Sequence, residues 1–240
     1  MTPLSISPFF REFARRVRTQ FWLKALGVSG FMVLFFLGYI HILNHAFFPV
    51  TVMPLTAIDR LIPYQPSAWL PYVSLWVYVQ LPLCLIDRRC ELFRYGWTSA
   101  GISLIGFLIF IFLPTAVPAA AVSAADSMFA SIRSVDTTGN SCPSLHVAFA
   151  VFSAVWIERF FREAKIAALH RFLNAGWCLI IVYSTLATKQ HVVLDACAGA
   201  VLGFAGAAFQ AGWGGRQRAH VAVATASTEL AQISPAARKL

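Results

Sequence analysis

The chain is organised around the stretch Ser184-Thr-Leu-Ala-Thr-Lys-Gln-His-Val-Val-Leu-Asp195, which lies between two long apolar runs. Lys189, His191 and Asp195 are its only ionisable residues. His191 and Asp195 are four positions apart, so on a helix they share one face. An aspartate at the mouth of an apolar segment is costly, and holding an imidazole in place would justify that cost. We therefore predict a histidine–carboxylate pair in which one ring nitrogen is held and the other is available for nucleophilic attack.

The composition indicates a polytopic membrane protein. The chain has 240 residues, of which 58% are hydrophobic and 12% are charged, and its mean hydropathy is +0.68. A soluble domain carries about 25% charged residues, so most of this chain is expected to lie in a bilayer. The net charge of +9 does not indicate a nucleic-acid partner, because the basic residues fall between apolar runs rather than along one face.

Six apolar runs each approach the roughly 20 residues that a helix needs to cross a bilayer core. They predict an all-α fold, a bundle of six transmembrane helices that forms the catalytic membrane domain. Residues 1–24 are predicted to form an amphipathic helix at the membrane surface, and residues 214–240 a polar tail. The membrane domain covers residues 25–213, and its predicted spans are 25–46, 68–86, 97–117, 144–161, 172–187 and 192–213.

The distribution of positive charge predicts the orientation of these spans. Six spans place both termini on one side of the membrane. The N-terminal segment, the second and fourth loops and the tail together carry sixteen of the nineteen Lys and Arg residues. Because positive loops favour the cytoplasmic side, both termini are predicted to be cytoplasmic. The outer ends of the last three spans then face the extracytoplasmic side, which is the periplasm if the source is bacterial.

A second stretch, Pro143-Ser144-Leu145-His146, has the pattern of a helix start. The free N–H groups of a first helical turn, at the positive end of the helix dipole, form an anion site that suits a phosphate. His146 would lie beside that anion and could protonate a leaving oxygen. With Lys189 as a further positive charge and His191 as nucleophile, the two stretches predict phosphate transfer through a phosphohistidine.

Neither a metal ion nor another cofactor is expected, because the carboxylates near these motifs are too few for a two-metal site. The five cysteines show neither metal-ligand spacing nor a disulfide framework. His41 and His45 have a spacing that could bind a metal ion. Without a third ligand nearby, an interfacial or core-facing position is favoured for both.

The first stretch, written as Ser184-x6-His191-x3-Asp195, resembles the third signature of the type 2 phosphatidic acid phosphatase superfamily. The resemblance implies His191 as the nucleophile and Asp195 as the residue that orients it. It also implies a six-span core, here roughly residues 25–213, and a lipid phosphate as substrate. Membrane lipids are therefore the expected partners, while the sequence does not indicate an oligomeric state.

Pro143-Ser144-x-His146 resembles the second signature of the same family. The resemblance implies His146 as the general acid. It further implies that Ser144 and backbone amides of the first turn, including that of Leu145, hold the phosphate.

Several positions depart from the family pattern. The first signature, a lysine and an Arg-Pro pair, is not found, and Arg133 is the basic residue available in that region. Thr185 stands where an arginine is expected, so Lys189 is predicted to supply the phosphate contact, and Leu145 replaces the usual glycine. These features look more like the inositol phosphorylceramide synthase branch, whose members move a phosphodiester head group between lipids. The same likeness is carried by the run Thr188-Lys-Gln-His191 and by a stretch that contains Asp59, Ile62-Pro63, Pro66 and Tyr72.

The function predicted from these patterns is hydrolysis or transfer of the phosphate of a lipid phosphate at the outer membrane face. A head-group transferase of the inositol phosphorylceramide synthase type is the first alternative. A lipid-phosphate transporter that uses the cradle for recognition is the second. Taken singly, the site residues also fit structural roles, with Ser144 as a helix cap, His146 at the interface and Asp195 paired with Lys189.

Overall fold

A computed structural model describes residues 8–118 and 140–233, with side chains over residues 11–118 and 140–213. These residues are mostly helical, as predicted. A 3-10 turn, Pro66–Ala68, precedes the fourth helix, and two short strands, β1 (Thr51–Val52) and β2 (Thr115–Ala116), pair in parallel. The helices are α1 (Pro8–Arg18), α2 (Phe21–Asn44), α3 (Ala57–Leu61), α4 (Trp69–Tyr78), α5 (Leu81–Leu85), α6 (Arg89–Phe112), α7 (Leu145–Glu163), α8 (Ala168–Ala187) and α9 (Val193–Ile233).

In the described part of the chain, four helical segments are long and apolar enough to cross a membrane. They are α2, the segment Pro66–Leu85 that contains α4 and α5, α6, and α9 as far as Trp213. The predicted fourth and fifth spans correspond to α7 and α8, which are more polar. Four of the last six residues of α7 are charged, and α8 begins Ala-Leu-His-Arg. The count of six spans therefore stays a prediction.

Large apolar side chains cover the outside of the helices. In water such a surface would drive aggregation, whereas in a bilayer it faces hydrocarbon at no such cost. The exposed set includes Leu34, Leu37, Val77, Leu104, Phe172, Leu179, Val201 and Phe204.

Several helix boundaries differ from the prediction. The helix α9 continues to Ile233, beyond the predicted end of the sixth span at residue 213. The predicted third span starts at residue 97, whereas α6 begins at Arg89 and includes the basic residue Arg94. Hydropathy marks only the apolar middle of a helix, and the polar turn at the membrane interface is still helical. The predicted second span is divided between α4 and α5, because Pro82 lacks a backbone N–H and cannot continue the preceding helix.

The helix α7 is the centre of the bundle and packs against α6, α8 and α9. Its contact with α9 is a backbone contact made possible by glycine. A Cβ atom at Gly199 would lie 2.3 Å from the carbonyl oxygen of Ser144, and one at Gly203 would lie 2.4 Å from that of Ala148. Small residues that let two helices approach so closely are typical of membrane bundles. This contact brings the start of α7 beside the start of α9, where the two predicted motifs lie.

Candidate active site

His191 and Asp195 form a pair at the start of α9. His191 lies in the turn before the helix and Asp195 in its first turn, so the pair does not lie on one helical face as the spacing suggested. The Nδ1 atom of His191 is 3.1 Å from Oδ2 of Asp195, and the two side chains are 7% and 0% exposed. A carboxylate at Nδ1 holds the proton there and leaves the ring lone pair on Nε2. The carboxylate thus orients the imidazole, and the role of His191 as nucleophile stays a prediction.

The Ser144 motif begins α7 and is bonded directly to the histidine–aspartate stretch. The Ser144 side chain caps the helix by accepting a hydrogen bond of 3.2 Å from the N–H of Val147. The Ser144 backbone N–H donates to the carbonyl oxygen of Asp195 at 3.0 Å. Ser144 is therefore a helix cap and also joins the two motifs. Its contact with a phosphate stays a prediction.

Leu145 occupies the first position of α7, and its side chain packs against α6. A Cβ atom at Gly106 would lie 2.6 Å from Cδ2 of Leu145. The side chain is thus part of the core, and the contact of the Leu145 backbone amide with a phosphate stays a prediction. In this role leucine fills space against α6 that the glycine of the family pattern would leave open.

His146 is held by Tyr72 of α4. The two rings stack with centroids 4.2 Å apart and an angle of 15° between their planes, and the imidazole hydrogen-bonds to the Tyr72 backbone. The Nε2 atom is buried and has no hydrogen-bond partner among the described residues. One ring nitrogen is thus held while the other is left for a ligand. Sequence reasoning assigned Tyr72 no role in orienting this histidine, because the contact joins residues far apart in the chain.

Both histidines line one cavity of about 600 Å³ between α2, α4, α5, α6 and α7. The cavity walls are largely apolar and aromatic. Along α2 the lining extends from Leu23 to Tyr39, which is roughly 24 Å of helix, most of the roughly 30 Å thickness of a hydrocarbon core. The two histidines thus lie towards one end of a long, largely apolar chamber, and Lys24 and Gln80 line it towards the other end.

Lys189 contacts the loop around α3. Its ammonium donates hydrogen bonds to the carbonyl oxygens of Asp59, at 2.8 Å, and Ile62. Burial lowers the pKa of Lys189 from its ordinary value, and the nearby Asp59 partly opposes that shift. The alternative in which Asp195 pairs with Lys189 is therefore wrong. The predicted phosphate contact of Lys189 stays a prediction, and the observed contacts instead hold the turn that carries His191.

Asp59 hydrogen-bonds to the other end of the same turn. Its Oδ1 atom accepts a hydrogen bond of 2.8 Å from the N–H of Val193, the first residue of α9. Its Oδ2 atom accepts bonds of 2.7 Å from both the N–H and the hydroxyl of Thr56. The 56–62 loop thus bonds to residues on both sides of His191 and sets its position. Sequence reasoning did not find this role of Asp59.

Replacing Asp59 by alanine is expected to destabilise the protein by about 2 kcal/mol or more, because two helix caps and a charged hydrogen-bond network are lost. The measurement is thermal unfolding of the purified protein in detergent. Asp87→Ala is the matched control, since it removes an aspartate from partly exposed ion pairs with Arg15 and Arg16, worth less than about 1 kcal/mol. Equal losses of stability in the two variants would contradict the proposal that Asp59 holds the turn that carries His191.

The structure does not describe Arg133, but it does describe the predicted histidine pair His41 and His45. Arg133 lies outside the described residues, so its phosphate contact stays a prediction. His41 and His45 lie at the exposed end of α2 with their rings stacked at 4.6 Å. Across the described ranges, no group of three or more His, Cys, Asp or Glu side chains is placed to hold a metal ion.

Comparison with known proteins gives one match. A family model described as the PAP2 superfamily matches residues 67–209, more than half of the chain. The match contains His146, His191 and Asp195 together with Tyr72, and it begins after Asp59. No curated protein and no solved structure matches the chain.

Proposed function

Since the chain belongs to the PAP2 superfamily, a family of phosphoesterases, we propose that it removes or transfers the phosphate of a lipid phosphate through a phosphohistidine. The coarser conclusion is that this is a membrane enzyme of the phosphatase and phosphotransferase type. The observation that carries the finer proposal is that an oriented His191 and His146 line the same largely apolar cavity.

In the first step, Nε2 of His191 attacks the phosphorus atom. A P–N bond forms, the P–O bond to the lipid breaks, and His146 gives a proton to the departing oxygen. Asp195 stabilises the positive charge that develops on the His191 ring. The products of this step are a lipid alcohol and a phosphohistidine.

In the second step, a water molecule or a lipid alcohol attacks the phosphohistidine. His146 takes the proton of the attacking hydroxyl, the new P–O bond forms and the P–N bond breaks. Water yields inorganic phosphate, whereas a lipid alcohol yields a new phosphate ester. Amides at the start of α7, including that of Leu145, stabilise the charge on the phosphoryl oxygens.

The substrate class and the orientation follow from the surroundings of the site. A chamber lined by apolar and aromatic groups over most of a bilayer's depth favours an alkyl chain over a soluble phosphate ester. We propose that the six-span topology holds, with both termini in the cytoplasm. The helix α1 supports this orientation, because Arg16 donates to the carbonyl of Leu85 at the end of the bundle that is remote from the histidines.

The proposal is tested with purified protein in detergent micelles and with two lipid phosphates offered separately, phosphatidate and its single-chain lyso form. We expect inorganic phosphate to be released in the presence of EDTA, because no step needs a metal ion, and vanadate to block the release, because it mimics the five-coordinate phosphorus. Release that depends on an added divalent cation would contradict the proposal, and so would release that vanadate does not affect.

A head-group transferase is the second candidate, and one position favours it. Thr185 occupies the place of the family's arginine, is fully buried, and its hydroxyl donates to the carbonyl of Val182 at 2.8 Å. It therefore brings no charge to the phosphate, so the site departs from the hydrolase pattern. A radiolabelled phospholipid donor, supplied with ceramide or diacylglycerol, separates the two reactions. A product that contains both moieties supports transfer, and free phosphate alone supports hydrolysis.

A further inference from the structure

Asn140 is a buried polar residue of the cavity that takes no part in the proposed phosphate transfer. It lies just before the Ser144 motif and forms a parallel bridge with Thr115 of β2. Its side chain is 3% exposed and lines the same cavity as His146 and His191. The segment that carries it is therefore held beside the proposed phosphate site.

The two ends of the Asn140 amide have different environments. The Nδ2 atom donates to the carbonyl oxygen of Tyr39 at 3.2 Å. The Oδ1 atom is buried and has no hydrogen-bond partner among the described residues. The reverse orientation of the amide would place two carbonyl oxygens against each other, so the nitrogen must face Tyr39. The oxygen is therefore the end left without a partner.

A buried carbonyl oxygen without a donor is unfavourable, and native proteins rarely leave one. This oxygen can only accept a hydrogen bond. It would repel a deprotonated phosphate oxygen, so it does not belong to the anion cradle. A ligand that satisfies it must bring a hydroxyl or an amide N–H.

We propose that Asn140 selects the lipid, by accepting a hydrogen bond from a hydroxyl or amide N–H that the substrate carries beside its phosphate. The proposal rests on the proposed function for the presence of a lipid phosphate in this cavity. Single-chain glycerol phosphates bring a hydroxyl, and N-acylated sphingoid phosphates bring an amide N–H together with a hydroxyl. A glycerol phosphate with both hydroxyls esterified brings neither, and it would leave Oδ1 unpaired. Sites that hydrogen-bond a substrate group discriminate strongly against analogues that lack it.

Three phosphonate analogues with the same alkyl chain test the proposal, since they bind without being hydrolysed. One carries a free hydroxyl next to the phosphonate, one an acylamino group and one only hydrogen. Binding to the full chain in detergent is followed by the fluorescence of Trp69 and Trp76, which line the cavity. We expect the hydroxyl or the amide analogue to bind at least about tenfold more tightly than the deoxy analogue. Which of the two binds more tightly identifies the source of the donor.

Asn140→Leu is expected to remove this preference and to leave binding of the deoxy analogue unchanged. Ser141→Ala is the matched control, because it deletes a neighbouring buried hydroxyl that has no partner among the described residues and does not line the cavity. The preference should survive in that variant.

Equal binding of the three analogues by the native protein would overturn the proposal, and this comparison needs no variant that must fold. The proposal would also be overturned if Asn140→Leu weakened the binding of all three analogues equally. The test is separable from the proposed function. A binding preference without phosphate release would contradict the enzymatic proposal alone, whereas phosphate release without a preference would contradict only the role of Asn140.

Discussion

Phosphate release is expected to fall by at least about a thousandfold when His191 is replaced by asparagine. Asparagine can still donate a hydrogen bond to Asp195, but it has no nitrogen that can attack phosphorus. The bond between the Ser144 N–H and the Asp195 carbonyl involves backbone atoms only, so the two motifs should stay together. The loss should therefore appear in kcat/KM with little change in the unfolding temperature. Initial rates with the better of the two lipid phosphates, and thermal unfolding in detergent, measure the two quantities.

His170→Asn is the matched control for this substitution. His170 is an exposed histidine near the start of α8, away from the cavity, and its replacement should leave the rate within about twofold of the native value, as is usual for surface substitutions. Native activity in the His191 variant would show that the reaction does not proceed through a phosphohistidine at this residue. Movement of lipid phosphate across liposomes that survives the loss of His191, with no phosphate release by the native protein, would favour a transporter.

Gly199→Ala is expected to be the most damaging of the small substitutions outside the reacting groups. The added Cβ atom would lie 2.3 Å from the Ser144 carbonyl oxygen, 3.1 Å from its carbon and 3.2 Å from its Cβ atom. These atoms belong to the first turn of α7 and cannot move aside as a flexible side chain can. The helix α9 must shift away from α7, at a cost of about 1–3 kcal/mol or more. The shift would also separate His191 from His146, and a displacement of about 1 Å can lower a rate by about 100-fold.

Thermal unfolding and phosphate release together measure this effect. Gly176→Ala on α8 is the control, because a Cβ atom there meets nothing within 4 Å. In a helix interior alanine is favoured over glycine by about 0.5–1 kcal/mol, so this variant should be as stable as the native protein or more so. A Gly199→Ala protein with native stability and native activity would show that the close approach of the two helices is not needed.

The sequence was informative where its signals are local. Apolar runs predicted the helices, and Pro143-Ser144 predicted the start of α7. The spacing of His191 and Asp195 indicated the motif that the PAP2 superfamily match contains. Helix ends were predicted less well. Arg89 and Arg94 were assigned to a loop, because hydropathy does not detect the charged turns of a helix that projects from a membrane. The helices α7 and α8 are more polar than the other spans, so hydropathy alone does not establish that they cross the membrane. Whether they do depends on how they pack within the bundle.

The tertiary structure decided which groups surround the reacting histidines. Asp59 caps a helix whose first residue lies 134 positions further along the chain, and Lys189 bonds to carbonyls 130 and 127 positions before it. Tyr72 stacks on His146 for the same reason, because α4 and α7 meet only in the folded bundle. Such contacts leave no periodic or spacing signal in a single sequence. The two motifs were therefore recognisable in two short stretches of sequence, whereas the positions of the groups around them depend on contacts that form only when the helices pack.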